Sequence, residues 1–123
     1  FFKIILTISL RAESLLKEIE VAMVFKVLIK RSINEGKTRE VFALLNKFRS
    51  DAMGQNGYIS GETLINHDNP QEILVIAMWQ GIENWHKWKE NPERVANEAK
   101  MGQWLEEPTN YDTYVLGTYF TQF

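Results

Sequence analysis

Cysteine is absent from this chain of 123 residues, and histidine occurs only twice, at His67 and His86. Without cysteine there is no disulfide framework, no thiolate metal site and no cysteine nucleophile, which fits a reducing compartment such as the cytoplasm. Two isolated histidines lack the paired spacing that places imidazoles on one helix face. We therefore expect no metal site.

An excess of positive charge is also missing. The 14 basic and 16 acidic side chains give a formal charge of −2 and a pI near 5.7, and lysine and arginine are scattered among glutamates. Such a chain has no basic surface that would attract nucleic acid. With 45% hydrophobic residues, the composition is typical of one soluble domain.

The chain has no apolar run long enough to cross a bilayer, which takes about 20 residues. The longest candidate, at the start of the chain, is bracketed by Lys3 and Arg11. A signal peptide is not indicated, because the basic region and the small-residue cleavage site are missing. We expect no membrane partner.

Residues 1–22 are expected to form an amphipathic appendage to a domain that runs from Met23 to the end of the chain. At helical spacing one stripe is apolar: it contains Phe1, Ile4, Ile5, Ile8, Ala12, Leu15, Leu16, Ile19 and Ala22. This pattern favours a helix over about residues 3–21. A strand followed by a helix is the alternative, since residues 2–10 also alternate at period two.

Residues 73–79 are apolar without a break and end in Trp79. A strand with apolar side chains on both sides of its pleat needs a cover on each face of the sheet. A chain this small has few helices to provide two covers. We therefore expect a second copy of the chain to cover one sheet face, giving a homodimer.

The remaining pattern predicts strands over residues 23–32, 58–67, 72–79 and 111–120. A helix over 35–53 is expected with Asn34 as its N-cap, and a hairpin turn at 68–71. A short helix follows Gly81, and another starts near Pro92 with Asn91 as its N-cap. That last helix is expected to direct Val95, Ala96, Ala99 and Trp104 inward. The order indicates an α+β, ferredoxin-like sandwich with a four-stranded antiparallel sheet.

Three motifs resemble the antibiotic biosynthesis monooxygenase domain, also called the dimeric α/β barrel. They are Asn-Gly-Tyr-Ile-Ser-Gly-Glu-Thr at 56–63, the Trp79 and Trp88 pair, and Asn-Pro-Glu-Arg at 91–94. The resemblance implies that two subunits pack their sheets face to face and that each holds a pocket between its sheet and helices. It also implies diverse activities: cofactor-free oxygen insertion, haem cleavage and isomerase-like reactions.

Haem-cleaving members of that family carry an Asn on the first strand, a Trp ending the third and a His on the following helix. Here Ile29, Trp79 and Glu98 occupy those places. Without the histidine, haem iron lacks its axial ligand, so haem degradation is the less favoured hypothesis. The oxygenase members favour an Asn shortly before the strand-ending Trp, and Val75 stands there.

The leading hypothesis is a cofactor-independent monooxygenase that acts with molecular oxygen on a small, flat aromatic or quinol-like substrate. The resemblance and the residue types suggest Trp79, Trp85, Trp88 and Tyr58 for substrate binding, with His67 and Tyr114 for proton transfer. A Trp at the end of a buried strand is more often simply part of the core. The alternative is a non-enzymatic homodimer with a ligand-binding or structural role.

Overall fold

The computed structural model describes residues 10–15 and 24–116. Its elements are β1 (Phe25–Ser32), α1 (Thr38–Met53), β2 (Tyr58–Ile65), β3 (Glu72–Trp79), α2 (Ile82–Lys89), α3 (Pro92–Gly102) and β4 (Asn110–Val115). The strands form one sheet in the order β2-β3-β1-β4, and each neighbouring pair is antiparallel. This topology confirms the predicted α+β, ferredoxin-like fold with a four-stranded antiparallel sheet.

Part of the predicted appendage is described. Residues 10–15 are helical, with Leu10 and Leu15 exposed. The other residues predicted to belong to the appendage lie outside the described ranges, as do residues 117–120 of the last predicted strand. Within those ranges, no helix combines the length and apolarity needed to cross a membrane.

The two predicted N-caps have different outcomes. The Asn91 side chain accepts hydrogen bonds from the backbone N–H groups of Glu93 and Arg94, which confirms it as the cap of α3. Asn34 is not a cap, because α1 begins three residues later than predicted, after Lys37. Asn34 instead belongs to a turn in which its carbonyl accepts from the Lys37 N–H at 3.1 Å, and Gly36 allows that turn with its φ of +80°.

The core lies between the three helices and one face of the sheet, called the inner face below. Alternate residues of β1 point to it, so Phe25, Val27 and Ile29 are buried. On β3 the inner residues include Ile73 and Trp79, both fully buried.

The predicted inward face of α3 is wrong. Val95, Ala96 and Ala99 are exposed, while Arg94 and Met101 are buried. Burying an alanine methyl group gains less free energy than burying a larger apolar side chain. The long stem and flat guanidinium of Arg94 reach across the helix to aromatic rings, which gives that face more contact area.

The opposite, outer face of the sheet keeps an apolar surface. Its strand residues include Leu28, Leu74, Ile76 and Met78, which are half-buried, and Leu64, which is 44% exposed. Two shallow hollows on this face are lined only by strand and turn residues of the described chain. β3 is apolar on both faces of the sheet, but the described helices cover only its inner face.

Candidate functional site

A cavity lies between the inner face of the sheet and the helices. Side chains from β1, β2 and β3 form its floor, and side chains from α1, α2 and the start of α3 form its roof. Its volume is about 60 Å³, measured as space open to the centre of a water molecule. That space holds a few water molecules.

Aromatic rings form one end of the cavity. Trp79 is fully buried at the end of β3, with the Tyr58 ring edge-on at 5.3 Å and the Trp85 ring tilted at 6.1 Å between centroids. Trp88 follows Trp85 by three residues on α2, so both indoles lie on the inward side of that helix. All four residues predicted to bind substrate line the cavity.

Tyr58 supplies a phenol at this end. Its hydroxyl lies against Gly61, where a Cβ would come within 2.5 Å of the oxygen, so the missing side chain makes room for the phenol. Burial raises the pKa of Tyr58, and the nearby charge of Arg49 only partly offsets this. The phenol therefore stays protonated at neutral pH and can donate a hydrogen bond.

Arg31 continues the inner-face alternation of β1 and reaches the cavity with only 2% exposure. It forms an ion pair with Glu98 of α3 at 2.8 Å. Thr109 also donates its hydroxyl to Glu98. Burial alone would raise the pKa of Glu98, but the charge and hydrogen bond of Arg31, with the Thr109 bond, hold that pKa below its ordinary value.

Arg94 is the second buried guanidinium, at 3% exposure. It lies 5.4 Å from the ring centres of both Trp85 and Tyr111, which are favourable cation–π distances. It donates to the Tyr111 hydroxyl at 3.0 Å and to the Lys89 carbonyl at 3.5 Å. In the described part of the chain, no carboxylate forms an ion pair with it.

Two buried N–H donors at the cavity have no acceptor among the described residues: Nε of Arg31 and Nε1 of Trp79. Buried donors are normally paired, so each such exception calls for an explanation. An acceptor atom of a bound molecule would provide one.

The predicted proton-transfer residues are not at the cavity. His67 lies in the turn between β2 and β3 with its side chain 99% exposed, 3.2 Å from Asp68. Tyr114 pairs with Lys26 on the outer face and is 55% exposed. The period of two along β4 directs its side chain away from the helices. His86 is also exposed, on α2.

The arginines are the site residues that the sequence reasoning missed. Arg31 stands two positions after Ile29 in the inner-face alternation, and Arg94 belongs to the Asn-Pro-Glu-Arg motif. Both signals were visible in the sequence. A charged residue is almost never fully buried unless it is paired, so neither arginine was expected inside.

Metal and haem binding depend on suitably placed donor side chains. Across residues 10–15 and 24–116, no cluster of three or more His, Cys, Asp or Glu side chains could hold a metal ion. Where haem-cleaving members have Asn and His, the cavity has Ile29, and Glu98 is engaged by Arg31 and Thr109. The donor set therefore does not fit haem iron.

Comparison with solved structures identifies similar folds. A Nitrosomonas europaea protein assigned to the antibiotic biosynthesis monooxygenases superposes with a TM-score of 0.71 at 14% identity, covering 76% of this chain and 89% of its own. A Shewanella oneidensis protein gives 0.70 at 18% identity, covering 77% and 92%.

A variant of SnoaB, a cofactor-independent oxygenase from Streptomyces nogalater, gives a TM-score of 0.68 at 10% identity, covering 76% of this chain and 92% of its own. No curated protein sequence matches this chain. The sequence model of one family, described as antibiotic biosynthesis monooxygenase, matches residues 24–100. The chain belongs to the antibiotic biosynthesis monooxygenase family.

Proposed function

We propose that this protein is a cofactor-independent monooxygenase acting on a small, flat aromatic or quinol-like substrate. The observation that carries the proposal is the cavity itself. Indole rings wall it beneath Trp79, and three polar groups, those of Tyr58, Arg31 and Arg94, line the same space. An apolar pocket with a few convergent polar groups is the usual form of a small-molecule site.

In the proposed reaction, the substrate itself reduces oxygen. An ionised substrate with a reactive ring CH₂ group, such as an anthrone, transfers electrons to O₂ and forms a C–O bond to give a hydroperoxide. Loss of water converts the C–OOH carbon to a carbonyl. One oxygen atom enters the product and the other leaves as water, so no external reductant is needed.

The side chains would bind, orient and polarise the substrate. Trp79, Trp85 and Trp88 would hold the flat ring and exclude water, which raises the effective strength of charges in the site. Tyr58 would donate its phenol hydrogen to a substrate oxygen. The positive charge of Arg94 would favour the ionised form of the substrate and so lower its pKa, and the proton would pass to water before the ring is enclosed.

Substrate binding requires the cavity to widen. Typical ligand pockets measure about 300–1,000 Å³, well above the space present here. Arg49 and Glu62 line the cavity and are exposed, so their side chains can move without disturbing the core. Tyr58 is half-buried beside them and would move with the ligand.

Oxygen uptake by the purified protein with anthrone tests this proposal. We expect one O₂ to be consumed for each anthrone oxidised, without added reductant, above the rate in protein-free buffer. Uptake at the protein-free rate would contradict it. If anthrone binds without uptake, the result favours the alternative, a non-enzymatic ligand-binding protein, for which the absence of histidine from the cavity lining is the supporting observation.

We also propose that two copies of the chain associate through the outer face. Leu64 and Ile76 are apolar and belong to this face, which no described helix covers. Burying such a surface against its own copy is the commonest closed assembly, and the gain scales with the apolar area removed from water.

A further inference from the structure

The positive charges around the cavity outnumber the negative ones. Three arginines line it, Arg31, Arg49 and Arg94, and Glu62 is the single lining carboxylate among the described residues. Glu98 is not a lining residue: it pairs with Arg31, and the charge of Arg94 also helps to lower the pKa of Glu98, although the two side chains form no ion pair. Arg94 is therefore a buried cation without an ion-pair partner among these residues.

An unpaired buried charge is costly unless its surroundings compensate it. The rings of Trp85 and Tyr111 offset part of the cost for Arg94, because their faces attract a cation. Two of the five N–H donors of Arg94 are used by the Lys89 carbonyl and the Tyr111 hydroxyl, and carboxylates bind guanidinium groups through such N–H donors. A ligand anion could add to the ring contacts without replacing them.

The two buried guanidinium groups lie close to the aromatic wall of the cavity. Cζ of Arg31 is 5.7 Å and Cζ of Arg94 is 5.5 Å from the centre of the Phe48 ring. Arg94 is also 5.4 Å from the ring centre of Trp85, which in turn lies 6.1 Å from that of Trp79. A flat ligand with an acidic group at one end of its ring matches this arrangement of aromatic and cationic groups.

We propose that the ligand of this cavity is a planar aromatic carboxylate, with its ring between the tryptophans and its carboxylate held by Arg94 and the Nε–H of Arg31. The inference rests on the proposed function in naming the substrate class of the same cavity. A carboxylate is ionised at neutral pH before it binds, so it compensates the buried charge without any proton transfer.

Three probes of equal ring size and different charge test the proposal: benzoate, benzyl alcohol and benzylammonium. Binding is followed under anaerobic conditions through the indole N–H resonances in NMR spectra, with the Trp79 signal assigned by its loss in Trp79→Phe. Benzoate is expected to bind at least about tenfold more tightly than benzyl alcohol, the ratio that a charge-assisted hydrogen bond provides. Benzylammonium is expected to bind most weakly.

Arg94→Met removes the charge and keeps the volume, and replacing a buried charge by an apolar side chain often leaves stability intact. We expect it to abolish the benzoate preference, with Arg94→Lys restoring part of it. Lys87→Met is the matched control, since Lys87 is exposed and lines no described cavity; it should keep the full preference. If an arginine variant fails to fold, the comparison of the three probes on the unaltered protein still tests the proposal.

Equal binding of benzoate and benzyl alcohol would overturn the proposal, as would a preference that persists in Arg94→Met or no binding of any probe. None of these measurements depends on oxygen. Oxygen uptake with neutral anthrone but no preference for benzoate would refute the proposal of a carboxylate ligand and would leave the proposed monooxygenase activity supported. A preference for benzoate without oxygen uptake on any substrate would support the carboxylate ligand and contradict the monooxygenase activity.

Discussion

A buried guanidinium needs compensation, and Arg31 and Arg94 receive it in different ways. Arg31 has a carboxylate partner, Glu98 of α3, which lies 67 positions later in the sequence. Arg94 has aromatic rings and a phenol. At the scale of single residues, the Arg31–Glu98 pair stabilises the fold, because it joins α3 to the sheet. The surroundings of Arg94 leave its charge available to a ligand.

The ion pair predicts a pH-dependent loss of stability in Glu98→Gln. At neutral pH the variant should unfold with about 2–3 kcal/mol less free energy, somewhat below the cost of breaking a wholly buried pair, because Glu98 keeps 19% exposure. The folded pKa of Glu98 is lowered, so the contribution is present above its unfolded pKa, near 4.5, and is lost as the pH falls through the folded value.

Urea unfolding between about pH 7 and about pH 3 measures this. The difference between Glu98→Gln and the unaltered protein should shrink below about pH 4.5. Glu90→Gln, at an exposed carboxylate without an ion pair among the described residues, is the control and should stay within about 0.5 kcal/mol throughout. A difference that does not change with pH would show that the pair is not the cause.

Trp79 gives the second prediction at this scale. Trp79→Phe should lower oxygen uptake with anthrone about tenfold or more, because a smaller ring leaves the substrate poorly positioned. Trp104→Phe is the matched control: Trp104 packs against the core beyond the end of α3 and lines no described cavity. It should lose stability and retain uptake. Equal losses of uptake in both variants would remove Trp79 from its proposed role.

At the scale of elements, periodicity predicted the order of strands and helices because most inner-face residues are large and apolar. It failed where the buried side chain is charged. Val95 and Ala99 indicated an inward face for α3, yet the buried face centres on Arg94. Its neighbours Phe48 and Tyr111 come from α1 and β4, and the sequence does not display which distant rings will meet a guanidinium.

Helix caps follow local chemistry and can be tested pairwise. Asn91→Ala removes the oxygen that accepts from two backbone N–H groups of α3, so it should lower the free energy of unfolding by about 1 kcal/mol. Asn34→Ala makes the same change where no side-chain cap bond exists and should change stability by less than about 0.5 kcal/mol. Urea unfolding of the two variants compares them directly, and equal effects would contradict the capping assignment.

At the scale of the whole molecule, the sheet divides two tasks between its faces. The inner face carries the cavity, and the outer face carries an apolar surface beside charged residues such as Lys30 and Asp112, without a helical cover among the described residues. The two-sided strand ending in Trp79 predicted a sheet face that needs a cover from outside the domain, and the family resemblance implied the pocket on the other face. His67 and Tyr114 were predicted for proton transfer from their residue types alone, and neither lies at the cavity. His67 belongs to the exposed hairpin turn, and the alternation of β4 directs Tyr114 to the outer face.

The proposed dimer predicts a clear response to charge on the outer face. Ile76→Glu puts a carboxylate at the centre of that face and should convert a dimer to a monomer in sedimentation at micromolar concentration, since a buried unpaired charge costs several kcal/mol. Val95→Glu, on the exposed face of α3, should remain dimeric. A monomeric unaltered protein, or a dimer that tolerates Ile76→Glu, would contradict association through this face.

The origin of the oxygen atom in the product tests the central claim most directly. The protein is supplied with anthrone and heavy-isotope oxygen gas in ordinary water, and the product is examined by mass spectrometry. We predict one heavy oxygen atom in each newly formed carbonyl, detected promptly to avoid exchange with water, and the other heavy atom in water. A product without label in the new carbonyl, or no product above the protein-free reaction, would contradict a monooxygenase acting in the cavity beneath Trp79.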